Sequence, residues 1–175
     1  QKLGMESLAI TDHGSMYGAV DFYSECKERG IKPIIGVETY VAHNHRSDRS
    51  GSERSPHHLV LLARDNTGYR NLMQLVTHAH LEGFHYRPRI DKELLDKYHQ
   101  GLICLSGCPS AEVPKLIAEG NITEANRVAL WYKERFGDGY FLELQQHTDV
   151  PQLAEINQGL IVMSKELDLP LVVTN

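Results

Sequence analysis

Several things are scarce in this 175-residue chain, and each scarcity removes a class of explanation. No apolar run comes near the roughly 20 residues of a membrane span, so a membrane protein built of helices is not expected. Cysteine occurs three times, at Cys26, Cys104 and Cys108. That is too few, and too unevenly placed, for a disulfide framework, and it predicts a reducing, cytoplasmic setting. Positive charge is not in excess. Eighteen Lys and Arg stand against 23 Asp and Glu, so the formal net charge is −5, and the chain does not hold nucleic acid through its overall charge. A local basic groove stays open. The chain starts at Gln1 with neither Met nor an apolar leader, which predicts a piece of something longer. There is no P-loop, dinucleotide fingerprint, nucleophile elbow or HExxH, and no internal repeat. The length fits one domain with a real core, and 41% hydrophobic residues is ordinary for a globular protein.

What is present is an alternation of short apolar runs with helical periodicity. Residues 7–11, 32–42, 59–63, 101–106, 140–145 and 169–174 read as strands. Between them, Val20, Tyr23 and Cys26 recur at three-residue steps over 17–29, and Tyr69, Leu72, Leu75, Val76 and Ala79 form a face over 68–81, with Thr67 as its cap. Residues 87–91 read as a connector, and Asp91 caps a short helix to about Tyr98. Ser110 caps the helix holding Val113, Leu116 and Ile117. Thr123 and Glu124 open a helix to about Phe136, and Pro151 sits at the start of the helix carrying Leu153, Ile156, Leu160, Ile161 and Leu167. Residues 43–55, polar and rich in Ser and Arg, predict a mobile surface loop. Strands apolar on both faces and separated by helices belong to an α/β fold with a largely parallel sheet, either an open doubly wound sheet or a closed (β/α) barrel.

The polar residues favour the barrel. Four stretches place a potential metal ligand where a strand meets a loop: Leu8-Ala-Ile-Thr-Asp12-His13-Gly14, Ile34-Ile-Gly-Val-Glu38, His57-His58-Leu-Val-Leu-Leu62 and Leu102-Ile-Cys-Leu-Ser-Gly-Cys108. Most of them fall at strand C-terminal ends, the rim where a barrel gathers functional side chains. His58, at the start of its strand, is a mild misfit. Each residue also has a plainer role open to it. Asp12 can cap the helix near Met16 and leave His13 as a loop residue. Glu38 can pair with Lys32 or an Arg, although a carboxylate ending a doubly buried strand is costly unless paired or coordinated. His57 and His58 point to opposite faces, and either can be an exposed strand-start histidine. Cys104, inside its strand, and Cys26, on its helix, read as small core residues. Cys108 lies beyond its strand, where a thiolate can meet a metal. His147, after Phe141-Leu-Glu-Leu-Gln-Gln146, is a weaker candidate behind the ligands, as is Asp12.

Thr11-Asp-His-Gly14, Gly18-Ala-Val-Asp-Phe-Tyr23 and Gly30-Ile-Lys-Pro-Ile-Ile-Gly-Val-Glu38 together resemble the polymerase and histidinol phosphatase (PHP) domain family. Asn66-Thr-Gly-Tyr-Arg-Asn-Leu72, Pro88-Arg-Ile-Asp91, Gly101-Leu-Ile-Cys-Leu-Ser-Gly-Cys108 and Val173-Thr-Asn175 narrow this to the PHP domains of bacterial DNA polymerase III alpha subunits. The resemblance covers nearly the whole chain as a single partial domain, 1–175. It implies a distorted (β/α)7 barrel, incomplete here because the family's first His-x-His strand and final Asp-x-His motif have no counterpart. It selects His13, Glu38, His58 (over His57) and Cys108 as metal ligands, with Asp12 as the acid beside His13. It implies two or three divalent ions, Zn or Mn, and hydrolysis of a DNA 3′ end as 3′–5′ proofreading inside a DNA-directed DNA polymerase. The partners implied are DNA and other replicase subunits, namely a separate proofreading subunit and the sliding clamp. An isolated chain of this length is expected to bind metal poorly, to leave its barrel open and to be inactive. Two other functions fit the same residues: a free-standing phosphatase acting on a small phosphate monoester, and a non-catalytic scaffold that docks a proofreading subunit.

Overall fold

The computed structural model describes residues 2–50, 55–147, 150 and 152–174. Contacts divide the chain into two compact units. The first comprises residues 1–56 and 60–102, the second 57–59 and 103–175.

The first unit opens with β1 (Ser7–Ile10), α1 (Ala19–Glu28) and β2 (Lys32–Val41). Strands β1 and β2 pair in parallel, from Ser7 on Lys32 to Ile10 on Ile35. Helix α1 turns in Ala19, Phe22 and Cys26. Val20 and Tyr23 of the expected stripe are instead 69% and 51% exposed, so the buried face is rotated by one residue. The next strand, β3 (His57–Ala63), is shared by the two units, and its later residues lie beside β2 in the first. Gly36 permits close packing there. A Cβ on it would lie 2.5 Å from Leu62 Cδ2 and 2.6 Å from the Leu61 carbonyl oxygen.

Helix α2 (Asn66–Leu81) is capped by Asp65, which accepts from Gly68 N at 2.9 Å, and not by Thr67. The helix therefore starts two residues earlier than its apolar periodicity suggests. The connector at 87–91 contains β4 (Arg89–Ile90), which pairs in parallel with Tyr40 and Val41. Asp91 then caps α3 (Lys92–Tyr98), as expected, accepting from Leu94 N.

The second unit holds His57–Leu59 of β3, then β5 (Leu102–Leu105) from Ile103 onward, α4 (Glu112–Ala118), α5 (Ile122–Phe136), β6 (Tyr140–Gln145), α6 (Leu153–Leu167) and β7 (Leu171–Thr174). Strands β5, β6 and β7 pair in parallel. Ala111, not Ser110, occupies the N-cap of α4, without a side-chain hydrogen bond, and Asn121 caps α5 by accepting from Glu124 N. Pro151 and Asn175 lie outside the described residues.

One strand departs from the parallel expectation. Arg64 N, just past β3, donates to Gly101 O, just before β5. His58, near the start of β3, lies against Gly107 and Cys108, past the end of β5. Strand β3 therefore runs opposite to β5, and its first residues lie beside β5's C-terminal end. This removes the misfit of His58. No helix among the described residues is long and apolar enough to cross a membrane.

The segment expected to be a mobile loop is anchored along its described part. Arg89 is fully buried on β4. Its Nε donates to Gly83 O at 3.0 Å, and its Nη2 donates to the carbonyls of Arg46 and Asp48, each at 2.8 Å. Arg46 in turn bonds Asp91 and Glu82, and Arg49 donates to Glu82 O. Residues 51–54 of the expected loop lie outside the described residues. Replacing Arg89 by Met keeps the stem and strands these carbonyls without a donor. We expect Arg89→Met to lower unfolding free energy by about 3 kcal/mol, read by urea denaturation, and native stability would refute this account of the loop.

Candidate functional site

The first unit brings His13 and Glu38 together. Past β1 the chain continues alongside β2. Glu38 N donates to Asp12 O at 3.2 Å and Gly14 N donates to Glu38 O at 2.9 Å, so His13 is locked opposite Glu38. Gly14 makes this possible. Its φ is +64°, which favours glycine, and a Cβ there would lie 2.7 Å from Pro88 Cγ. His80 Nε2 lies 2.9 Å from the Gly14 carbonyl and braces the same turn from α2. His13 Nε2 then sits 3.3 Å from Glu38 Oε1, with the His13 ring 6.0 Å from that of Tyr40. Asp12 turns elsewhere. Its Oδ2 lies 3.1 Å from where a Gly18 Cβ would stand, at the start of α1, but it makes no capping hydrogen bond to that helix.

The second unit brings His58 and Cys108 together, with Nδ1 and Sγ 3.5 Å apart. The chain leaves β5 through Ser106 and turns at Gly107, whose φ is +85°; a Cβ there would lie 2.8 Å from the Ala111 Cβ. His58 N donates to Ser110 O on the returning limb. A residue the sequence reading passed over holds this turn. Glu143 on β6 is 4% exposed. Its Oε2 accepts from Gly107 N at 3.1 Å, its Oε1 accepts from Gln145 Nε2 at 3.0 Å and from the Thr174 hydroxyl, and its own N–H donates to Ser106 Oγ at 2.9 Å. The available signal was the one that singled out Glu38, a carboxylate between apolar neighbours in a buried strand.

The other candidates separate cleanly. Cys104 is fully buried, and that burial, aided by the Glu143 charge, pushes its thiol well above its usual pKa. It is a core residue, as expected. Cys26 is buried on α1. Cys108 is only half-buried. His57 is half-buried, and His147 is exposed just past β6.

Donor spacing tests whether these residues suit a metal ion. In a tetrahedral site with bonds of 2.0–2.1 Å, a nitrogen and an oxygen ligand lie about 3.3 Å apart. A nitrogen and a thiolate ligand, with the longer metal–sulfur bond, lie about 3.5–3.6 Å apart. The observed 3.3 Å and 3.5 Å match both edges. A charge-assisted His–carboxylate hydrogen bond would be shorter, about 2.7–2.9 Å. Both pairs have the chemistry and spacing of metal ligands, and imidazole, carboxylate and thiolate together suit a borderline ion.

The family model described as the PHP domain matches residues 1–147. DNA polymerase III subunit alpha of Treponema pallidum is 46% identical over 178 residues, covering all of this chain and 15% of that protein. The same subunit of Borreliella burgdorferi is 42% identical over 177 residues, again covering the whole chain and 15% of the relative. The Thermus aquaticus subunit is 44% identical over 172 residues, 97% of this chain and 14% of that protein. The chain thus spans about one seventh of the length of these relatives. Among solved structures, a Bifidobacterium adolescentis protein provisionally named a metal-dependent phosphoesterase superposes with a TM-score of 0.55 at 14% identity, covering 98% of this chain and 77% of that one. That likeness shows a shared mixed α/β fold. On the match over residues 1–147, the chain belongs to the PHP domain family.

Proposed function

We propose that this chain is the metal-binding hydrolytic domain of a bacterial replicative DNA polymerase alpha subunit, and that it cleaves the terminal phosphodiester of a DNA 3′ end as a 3′–5′ exonuclease. The observation that carries the reading is the spacing of His13 with Glu38 and of His58 with Cys108, each at the separation of two ligands on one ion. His13, Glu38, His58 and Cys108 are the proposed ligands of two or three divalent ions, Zn or Mn. The bound ions would supply an acidified water as nucleophile near neutral pH and stabilise charge on the displaced oxygen. The protein's own part is placement. Glu38 contributes negative charge from within β2, His13 is held by its bridge to Glu38, and Cys108 would offer its sulfur from a turn that Glu143 fixes. The polymerase relatives support the substrate class and a replicase setting, with DNA, a proofreading subunit and the sliding clamp as partners.

Two experiments test this. In the full-length protein, bound metal is measured together with 3′–5′ degradation of single-stranded DNA, without nucleotides so that synthesis is silent. Glu38→Ala and His58→Ala are each expected to lose metal and to lower degradation by about 100-fold or more. Undiminished degradation would sink the hydrolase. Separately, Glu143→Ala is expected to weaken metal binding by about 10–100-fold in a chelator competition, because Cys108 loses its support. Cys104→Ala should leave metal affinity unchanged, and the reverse ranking would mean that the wrong cysteine has been assigned.

A further inference from the structure

The His13–Glu38 pair has neighbours in the first unit that metal binding does not use. Helix α2 ends at Leu81, and the chain passes Gly83, where a Cβ would lie 1.8 Å from Arg89 O. It then presents Phe84, His85, Tyr86 and Arg87 before entering β4. Phe84 is 55% exposed and Tyr86 62%, and Arg87 is exposed as well. Tyr86 has a φ of +60°, a left-handed conformation that is a genuine outlier for a bulky residue. The turn is fixed by His85 N donating to Arg87 O at 3.0 Å and by an edge contact between the His85 and Tyr86 rings. Glycine or asparagine would fit this backbone with less strain. A strained position that nevertheless carries a large outward ring is a reason to look for a task.

Contacts lead from this run to the ligand pair by two routes. The Arg87 guanidinium lies 5.7 Å from the centre of the Tyr40 ring, which lies 6.0 Å from the His13 ring. On the other side, Phe84 lies 6.3 Å from the His80 ring, and His80 holds the Gly14 carbonyl next to His13. One exposed aromatic ring and a cation are therefore linked by contacts to the turn that carries His13, and Tyr86 lies between them in the chain. Aromatic faces stack any base, and a neighbouring Arg takes a phosphate, the combination by which proteins hold single strands without reading sequence.

We propose that Phe84, Tyr86 and Arg87 form a platform for the last bases of a single-stranded DNA 3′ end, presenting its terminal phosphodiester beside His13 and Glu38. This rests on the hydrolase reading for its substrate and extends it to a binding subsite. Phe84 and Tyr86 stack the bases, and Arg87, stacked on Tyr40, meets the backbone.

The test is photo-crosslinking in the full-length protein, in EDTA so that nothing is cleaved. The probe is a short single-stranded oligonucleotide carrying iodouracil at its 3′-terminal nucleotide, and the crosslinked peptide is mapped by mass spectrometry. Crosslinks are expected on Phe84 or Tyr86. Phe84→Ala and Tyr86→Gly should each reduce that yield by about tenfold, Tyr86→Phe should keep it, and the same 3′ end in a blunt duplex should give little. Tyr86→Gly also relieves the φ strain, so its thermal midpoint should not fall, which separates loss of the ring from loss of the fold. Crosslinks confined to residues outside 84–87, or full yield from Tyr86→Gly, would overturn the platform. Because the probe is read without metal, a crosslink at Tyr86 in a protein with no Glu38-dependent degradation would uphold the platform and defeat the hydrolase. Degradation that needs Glu38, with no crosslink at 84–87, would do the opposite.

Discussion

A charged side chain taken out of water must find hydrogen bonds for every part of its charge, and each unit of this chain is arranged around one that has. In the first unit it is Arg89. Three backbone carbonyls from two separate segments converge on its guanidinium. Leaving such a group buried and unpaired would cost several kcal/mol, so those segments are fixed by necessity. In the second unit it is Glu143, whose oxygens accept from Gly107, Gln145 and Thr174. The carboxylate does for the turn after β5 what the guanidinium does for the segment after β2. Apolar packing gives both units their cores, but these two charges decide where loops must lie.

Ligand geometry follows from that fixing together with two glycines. His13 is followed by Gly14 and Cys108 is preceded by Gly107, and both glycines sit at positive φ against a neighbour that would collide with a side chain. A chain end that frays after its strand would let imidazole and thiolate wander. Here the backbone is held on both sides of each turn, so His13 and Cys108 keep their separations from Glu38 and His58. Cys104 shows the contrast. It is four residues from Cys108 and fully buried in its strand, where desolvation disfavours the thiolate a metal would need.

Much of this was legible in the sequence because the signals were strong and local. Alternating apolar runs marked the strands, and Asp91 ahead of Lys92–Tyr98 announced its cap. The residue types singled out His13, Glu38 and Cys108 as candidates before any resemblance was invoked, with a plainer role left open for each. Other features depended on what lay across space. The buried face of α1 differs from its expected stripe: Ala19 and Phe22 turn inward with Cys26, while Val20 and Tyr23 are exposed. The two residues of β4 carry no periodicity at all, and only pairing with Tyr40 and Val41 makes them a strand. The direction of β3 depends on its bonds to the β5 region, and with it the reason why a histidine at a strand's beginning lies beside Cys108. Thr67 and Ser110 were chosen as caps by type. Asp65 wins because its carboxylate reaches Gly68 N, and Ala111 holds the other N-cap position with no side-chain bond.

A net charge of −5 repels a polyanion, which sets the charge balance against the proposed substrate. The conflict exists only for binding that depends on neutralising many phosphates, where affinity is bought with overall positive charge. A site that holds one frayed end needs little of that. Stacking on aromatic faces is insensitive to net charge and depends instead on exposed rings, such as Phe84 and Tyr86, which follow the helix whose His80 braces the turn beside His13. Single Arg contacts and metal ions can then supply positive charge locally, where the scissile phosphate lies. An acidic surround would help such a site, because duplex DNA, with far denser charge, would be held off while a single-stranded end could enter.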